Sequence, residues 1–289
     1  MDLHLLTQVL VGGVLVGGIY SLVALGLTMI FGVMRVINIA HGELLVLGSY
    51  ITYWLFTLLG FNPLLSLFVS MPVMFGFGYL LQRYVVRHVV DAPELSSLLL
   101  TFGIAIFLTN AIRYVFTSDY RSVPYLTGSF YLGSIAFSIP RVVSFVIALA
   151  ITVGAFAYLR YSRLGMAIRA TSQHREVAMV CGIDVHRVYR YAFGFGCALA
   201  GAGGSLMSIM FSMHPEMGAI LNLKAFCVVV LGGLGSYSGA FLGGLILGLV
   251  EGLAALYLAS NISEAVAYGL LVFILLVRPS GIFGRAEAN

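Results

Sequence analysis

Charge is what this sequence has least of. Only 9% of its 289 residues are Asp, Glu, Lys or Arg, against roughly 25% in soluble domains, too few to clothe a water-facing surface of that size. Lysine is almost missing, with Lys224 alone against fourteen arginines. A phosphate-binding loop needs a lysine preceded by glycine and followed by Ser or Thr. Leu223-Lys224-Ala225 is not one, so the chain carries no ATP site of that kind. Three cysteines, Cys181, Cys197 and Cys227, are too few and too scattered for a disulfide framework or a metal site. The start has Asp2 and His4 but no Lys or Arg before the first apolar run, so the basic region of a signal peptide is absent and that run reads as a retained span. Catalytic groupings are lacking too. His41-x-Glu43 has no second histidine for a zinc protease, and no Gly-x-Ser-x-Gly stands near a plausible base. No catalytic residue and no metal ligand is assigned.

What is there is hydrophobic length. Sixty-one per cent of residues are hydrophobic, and a helical crossing needs about 20 apolar residues. The long runs are Val9–Phe31, Pro63–Leu81, Leu98–Phe116, Val142–Leu159, Ala192–Phe211, Ala240–Leu258 and Ile262–Val277, with a further climb over Leu44–Leu59. They are continuously apolar rather than alternating, which favours helices over a barrel. The arginines then orient the chain. Arg160, Arg163, Arg169, Arg175, Arg187 and Arg190 mark residues 160–191 as a cytoplasmic loop, Arg83 and Arg87 mark a second, and Arg278 and Arg285 place the C-terminus inside. A loop between spans is a poor nucleic-acid surface, so that role is excluded. Residues 118–140, rich in Tyr, Ser, Gly and Pro, read as an external loop.

With the N-terminus outside and the first span ending inside near Arg35, parity makes Lys224–Ser260 start and finish outside, although its 37 residues are short for two full spans. The run Gly232-Gly233-Leu234-Gly235-Ser236-Tyr237-Ser238-Gly239 interrupts it, and Met34–Glu43, with Gly42, interrupts the first half. Paired interruptions point to the substrate route in transporters, and ordinary loops between full spans are the alternative. The expected fold is an all-α polytopic membrane protein, one transmembrane domain over residues 1–289. It has about eight transmembrane helices, two broken or re-entrant segments and an inverted repeat. Glycines at four-residue spacing (Gly13 and Gly17; Gly244, Gly248 and Gly252) mark packing faces.

Ionisable groups at membrane depth are costly and default to functional candidates. Asn38, His41 and Glu43 form the densest polar group of the first half, and Glu251 stands inside an apolar run. These are the candidates for a translocation pathway, with Gly42, Gly232, Gly233, Gly235 and Gly239 as the broken-helix glycines. Glu251 as a structural pin across helices is the alternative.

The segment Gly32-Val-Met-Arg-Val-Ile-Asn-Ile-Ala-His-Gly-Glu43 resembles the first-half signature of the branched-chain amino acid ABC permease family. So do Lys224-Ala225-Phe226, Val229–Ser236, Gly239–Gly244, Leu164–Ala170 and the closing Val277–Gly284, in order across nearly the whole chain. The resemblance implies a multi-pass subunit of a bacterial inner membrane, moving branched-chain amino acids from periplasm to cytoplasm. Its partners would be a second permease subunit, usually a paralogue, two ABC ATPase subunits and a periplasmic solute-binding protein. ATP and magnesium would belong to the ATPases. Glu176-Val-Ala178 followed by Gly182 is similar to the coupling loop of such importers, with Arg169 and Arg175 beside it and Val177 in place of the usual alanine. Urea, amides or aromatic acids as solutes, and a self-contained secondary transporter or channel, are the competing readings.

Overall fold

The computed structural model describes residues 3–133, 135–258, 260–278 and 280–283. Asp2, Pro279, Gly284 and Arg285 lie outside them, and with them one of the two arginines that orient the C-terminus. The chain forms α1 (Leu3–Met34), α2 (His41–Leu59), α3 (Leu67–Tyr84), α4 (Glu94–Phe116), α5 (Ile139–Tyr161), α6 (Arg163–Gln173), α7 (Arg175–Val180), α8 (Val185–Met210), α9 (Met217–Gly232), α10 (Tyr237–Tyr257) and α11 (Ser260–Val277). A short hairpin, β1 (Ser129–Leu132) with β2 (Ile135–Ser138), precedes α5.

Helices satisfy backbone polar groups where no water can, which is why the apolar runs become helices. Among the described residues six, α1, α2, α4, α5, α8 and α10, are long and apolar enough to cross a membrane. The expected eight are therefore not reached by helices of full length and apolarity. Gln82-Arg83-Tyr84 in the last turn of α3 shortens its apolar stretch, and α9 and the apolar part of α11 are shorter helices. Helices also run past the apolar runs that announce them. α8 begins at Val185, so Arg187 and Arg190 stand on its first turns rather than in a loop, with their guanidinium groups over the rings of Tyr191 and Tyr79. The segment 160–191 is mostly helical, formed by the end of α5, α6, α7 and the start of α8. Side chains mark its helix starts: Ser162 Oγ accepts from Gly165 N–H at 2.8 Å and Asp184 Oδ1 from Arg187 N–H at 2.9 Å.

Burial separates a core from a rim. α1 and α8 are enclosed almost all round, while α4 and α5 turn apolar side chains such as Leu99, Phe102, Phe107, Val146 and Val153 outward, as lipid-facing helices do. Glycine lets the core helices touch. A methyl group at Gly248 would lie 2.6 Å from the Gly17 Cα, and one at Gly17 would lie 2.8 Å from the Gly244 carbonyl oxygen, so α1 and α10 pack backbone on backbone. At the end opposite the arginine segment, Arg121 N–H donates to the Met213 carbonyl at 2.8 Å, joining the loop after α4 to the loop after α8.

Candidate functional site

The helical ladder of α1 stops at Met34, and Arg35 takes a φ of 53°. A non-glycine residue there is uncommon and turns the chain sharply. The chain from 36 to 40 is held by α4: Ile39 N–H donates to Thr101 Oγ1 at 3.2 Å, and that hydroxyl donates to the Ile37 carbonyl at 2.8 Å. α2 then starts at His41, so Gly42 stands in its first turn and not in the break. Its missing side chain serves contact instead. A Cβ on Gly42 would meet the Gly218 carbonyl and lie 2.8 Å from Asn222. Gly218 reciprocates, since its own Cβ would lie 2.8 Å from Glu43 Oε1.

Asn38, His41 and Glu43 are all buried. His41 Nε2 lies 3.0 Å from the Val23 carbonyl, which can only accept, so Nε2 carries the proton. Asn38 Nδ2, His41 Nδ1, Glu43 Oε2 and Asn222 Oδ1 have no hydrogen-bond partner among the described residues. Leaving such a group unmet costs about 1–3 kcal/mol each, and native folds seldom carry that cost without a reason.

The second half breaks between α9 and α10. Gly233 and Gly235 take φ values of 98° and 79°, conformations that glycine adopts without steric cost. Gly232 and Gly239 pack against each other where the two helices part, and Ser236 Oγ accepts from Gly239 N–H at 3.1 Å to start α10. Gly235 also sits against Gly32 near the end of α1, its Cα 3.3 Å from where a Gly32 Cβ would stand, so the two interruptions meet. Glu251, on α10, reaches inward. It forms an ion pair with Lys224 of α9 and accepts from the Tyr20 hydroxyl of α1 at 2.7 Å. Lys224 also donates to that hydroxyl at 3.3 Å. A charged residue at the centre of a span costs about 2.5–3.5 kcal/mol on the insertion scale, and pairing makes the junction neutral.

At the arginine end, α7 ends as its sequence predicts, with Gly182 at φ 81° and Ile183 N–H donating to the Ala178 carbonyl at 3.0 Å. Ala178 is buried against the chain, whereas Val177, Met179 and Val180 are exposed. Arg175 forms an ion pair with Asp91 in the α3–α4 connection and lies over the Tyr189 ring. Its guanidinium holds the Asp91 carboxyl below the usual carboxylate range. Arg169 donates to the Arg160 carbonyl at 3.2 Å. Both arginines are thus engaged within the chain, and Glu176 stands in the first turn of α7.

Residues 9–275 match the family described as "Branched-chain amino acid transport system / permease component". The chain belongs to that family. It is 35% identical to the high-affinity branched-chain amino acid transport system permease protein BraD of Pseudomonas aeruginosa, over 99% of this chain and 98% of that one. It is 34% identical to the permease protein LivH of Escherichia coli K12, over 98% and 96% of the two chains. The fructose import permease protein FrcC of Rhizobium meliloti is more distant, 25% identical over 74% of this chain and 61% of its own. No solved structure matches.

As a permease of this family the chain is a multi-pass membrane protein. Two residues of its polar interior escape a reading by apolar runs and local polar clusters: Lys224 and Asn222. Lys224 had a signal, being the sole lysine and lying in an apolar stretch, which is the criterion that singles out Glu251. Asn222 had none, because only folding brings it to Gly42.

Proposed function

We propose that this chain is the membrane-spanning permease subunit of an ATP-driven ABC importer that moves branched-chain amino acids from periplasm to cytoplasm. The observation that carries the proposal is the end-to-end match to permeases of that solute class. The chain supplies the path and not the energy. Two ATPase subunits, which bind ATP and magnesium, a second permease subunit and a periplasmic binding protein complete the machine in the inner membrane.

In this reading one domain spans the sequence. The arginine end, with residues 160–191, faces the cytoplasm, and residues 118–140 face the periplasm. α1–α5, α8, α10 and α11 are the eight legs, and α9 is a shorter one that brings the chain back to the arginine end, so that α10 runs antiparallel to α1. The two halves are inverted relatives, each with one interrupted helix. Asn38, His41 and Glu43 border the route, and Glu251 with Lys224 holds α9 beside it. The ATPase docks on α7 through Val177, Met179 and Val180, with Glu176 at the rim. Ala178 and Gly182 shape that helix, while Arg169 and Arg175 anchor it to the rest of the chain.

The test is reconstitution of the chain with its partner subunits in vesicles. Leucine presented on the binding protein should stimulate ATP hydrolysis and accumulate inside. A complex that hydrolyses ATP without regard to leucine, isoleucine or valine, and responds to urea or an amide instead, assigns the other solute class. Uptake by this chain without any ATPase makes it a secondary transporter. Topology is read by single-cysteine labelling in intact cells: an impermeant reagent should reach a cysteine at Ser129 and not one at Ser172. The reverse pattern inverts the orientation.

A further inference from the structure

Three of the four unpartnered atoms named above share one polarity. Glu43 Oε2 is solely an acceptor once the carboxyl is ionised, the form that a cation held beside it favours, and Asn222 Oδ1 only accepts. They lie on either side of the contact between Gly42 of α2 and Gly218 of α9. His41, in the same turn of α2, offers a third acceptor, because its proton is committed to the Val23 carbonyl and Nδ1 of the neutral ring is a lone pair. Asn38 Nδ2, before the turn, is the one donor left over.

We infer that the seam between the first turn of α2 and the start of α9 is a recognition site for a protonated primary amine, held by Glu43 and Asn222. An ammonium group carries one positive charge and three N–H donors in a compact head. A carboxylate supplies the opposite charge and the amide oxygen a second acceptor, in surroundings where an unpaired cation would be expelled. A divalent cation fits less well. Calcium takes six to eight oxygen ligands and magnesium six, and no group of three or more His, Cys, Asp or Glu among the described residues could hold a metal ion.

The seam is closed in this structure, with Glu43 buried. What closes it is the backbone of Gly42 against that of Gly218, with the Glu43 side chain lying over Gly218 and Asn222 against Gly42. A ligand that binds only when α9 has moved away from α2 shifts the population toward that open arrangement. This inference rests on reading the α1–α2 break as part of the solute route. It adds that the route reads the amine of an amino acid, so that selection does not end at the binding protein.

The experiment uses the assembled complex, with its partner subunits, in lipid nanodiscs. Thermal unfolding of the permease is followed with isopentylammonium chloride, sodium isovalerate or sodium chloride at matched ionic strength. The amine should raise the wild-type midpoint by about 2–4 °C, as a ligand of the folded state does, and the two sodium salts should leave it in place. Glu43→Gln and Asn222→Ala should each abolish the shift, and Asn222→Asp, which adds a second carboxylate, should enlarge it. An amine effect equal to that of sodium chloride, or one that persists in Glu43→Gln, overturns the site. Should Glu43→Gln fail to assemble, Asn222→Asp decides, and an amine response no larger than wild type refutes the inference. Leucine uptake by the wild-type complex is measured alongside in sealed vesicles. Normal uptake without an amine effect removes this site and leaves the importer standing, whereas no uptake with all subunits present removes the importer reading itself.

Discussion

Lys224 and Glu251 show how much a single side chain is worth at membrane depth. Breaking a buried ion pair from one side leaves an uncompensated charge and costs about 3–5 kcal/mol, while replacing both members with apolar residues is often neutral. Lys224→Met and Glu251→Gln should therefore each lower the thermal unfolding midpoint of the detergent-solubilised chain sharply. The double variant Lys224→Met with Glu251→Leu should recover most of that loss. Single variants as stable as wild type would mean that the pair contributes nothing to holding α9. The sequence marks Glu251 as costly, and it marks Lys224 by the same rule, but it contains no sign that the two meet. They are 27 positions apart on different helices, and only the hairpin of α9 and α10, with Tyr20 from α1, joins them.

Among the helices, the legible part was where they lie and the illegible part was where they end. Continuous apolar runs locate α1, α4, α5 and α10 because lipid demands them. The runs miss the first turns of α8, since helices continue into the charged boundary where hydropathy falls, and they miss β1 and β2, whose eight residues carry no lipid-scale signal. The two interruptions were legible from glycine and polar residues. The use made of each glycine was not, since Gly42 permits contact within a helix while Gly233 and Gly235 turn the chain. The four-residue glycine spacing did read true, and it supports a paired test. Gly248→Leu should prevent α10 from seating on α1 and abolish membrane accumulation of the folded chain. Gly103 and Gly154 lie in open surroundings, and alanine is about 0.8–1.0 kcal/mol better than glycine in a helix interior. Gly103→Ala and Gly154→Ala should accumulate at least as well as wild type. Similar yields from Gly248→Leu and Gly154→Ala would show that the α1–α10 contact is not close in the membrane.

Across the whole molecule, the Arg175–Asp91 pair joins two segments of the arginine end, the helical 160–191 stretch and the connection between α3 and α4. Both partners are substantially exposed, so the pair adds little to stability, yet it ties α7 to the connection between α3 and α4. Allosteric transmission requires a contact that differs between two states, and in the importer proposed above this pair would carry motion from the ATPase into α3 and α4. Arg175→Asp should lower leucine uptake per ATP hydrolysed several-fold without changing subunit retention. Asp91→Arg in the same chain should restore it by reversing the pair. A double variant no better than either single one would remove Asp91 from the coupling path. The lowered carboxyl of Asp91 also sets the sign of the pH response. The pair is present above the usual carboxylate range and is lost only as pH falls through the lowered value, so coupling should persist into mild acid and then fail.

The seclusion of Lys224 has a chemical consequence. Its ε-amine is the chain's single one and is shut in with Glu251 and Tyr20, so an acylating reagent finds no other lysine side chain to consume it. The rate at which the folded chain takes up one acyl group at that position is then a clock for the parting of α1, α9 and α10. Because acylation removes the positive charge that Glu251 answers, each molecule that reacts is also prevented from closing the junction again, and the reagent that counts the openings collects them.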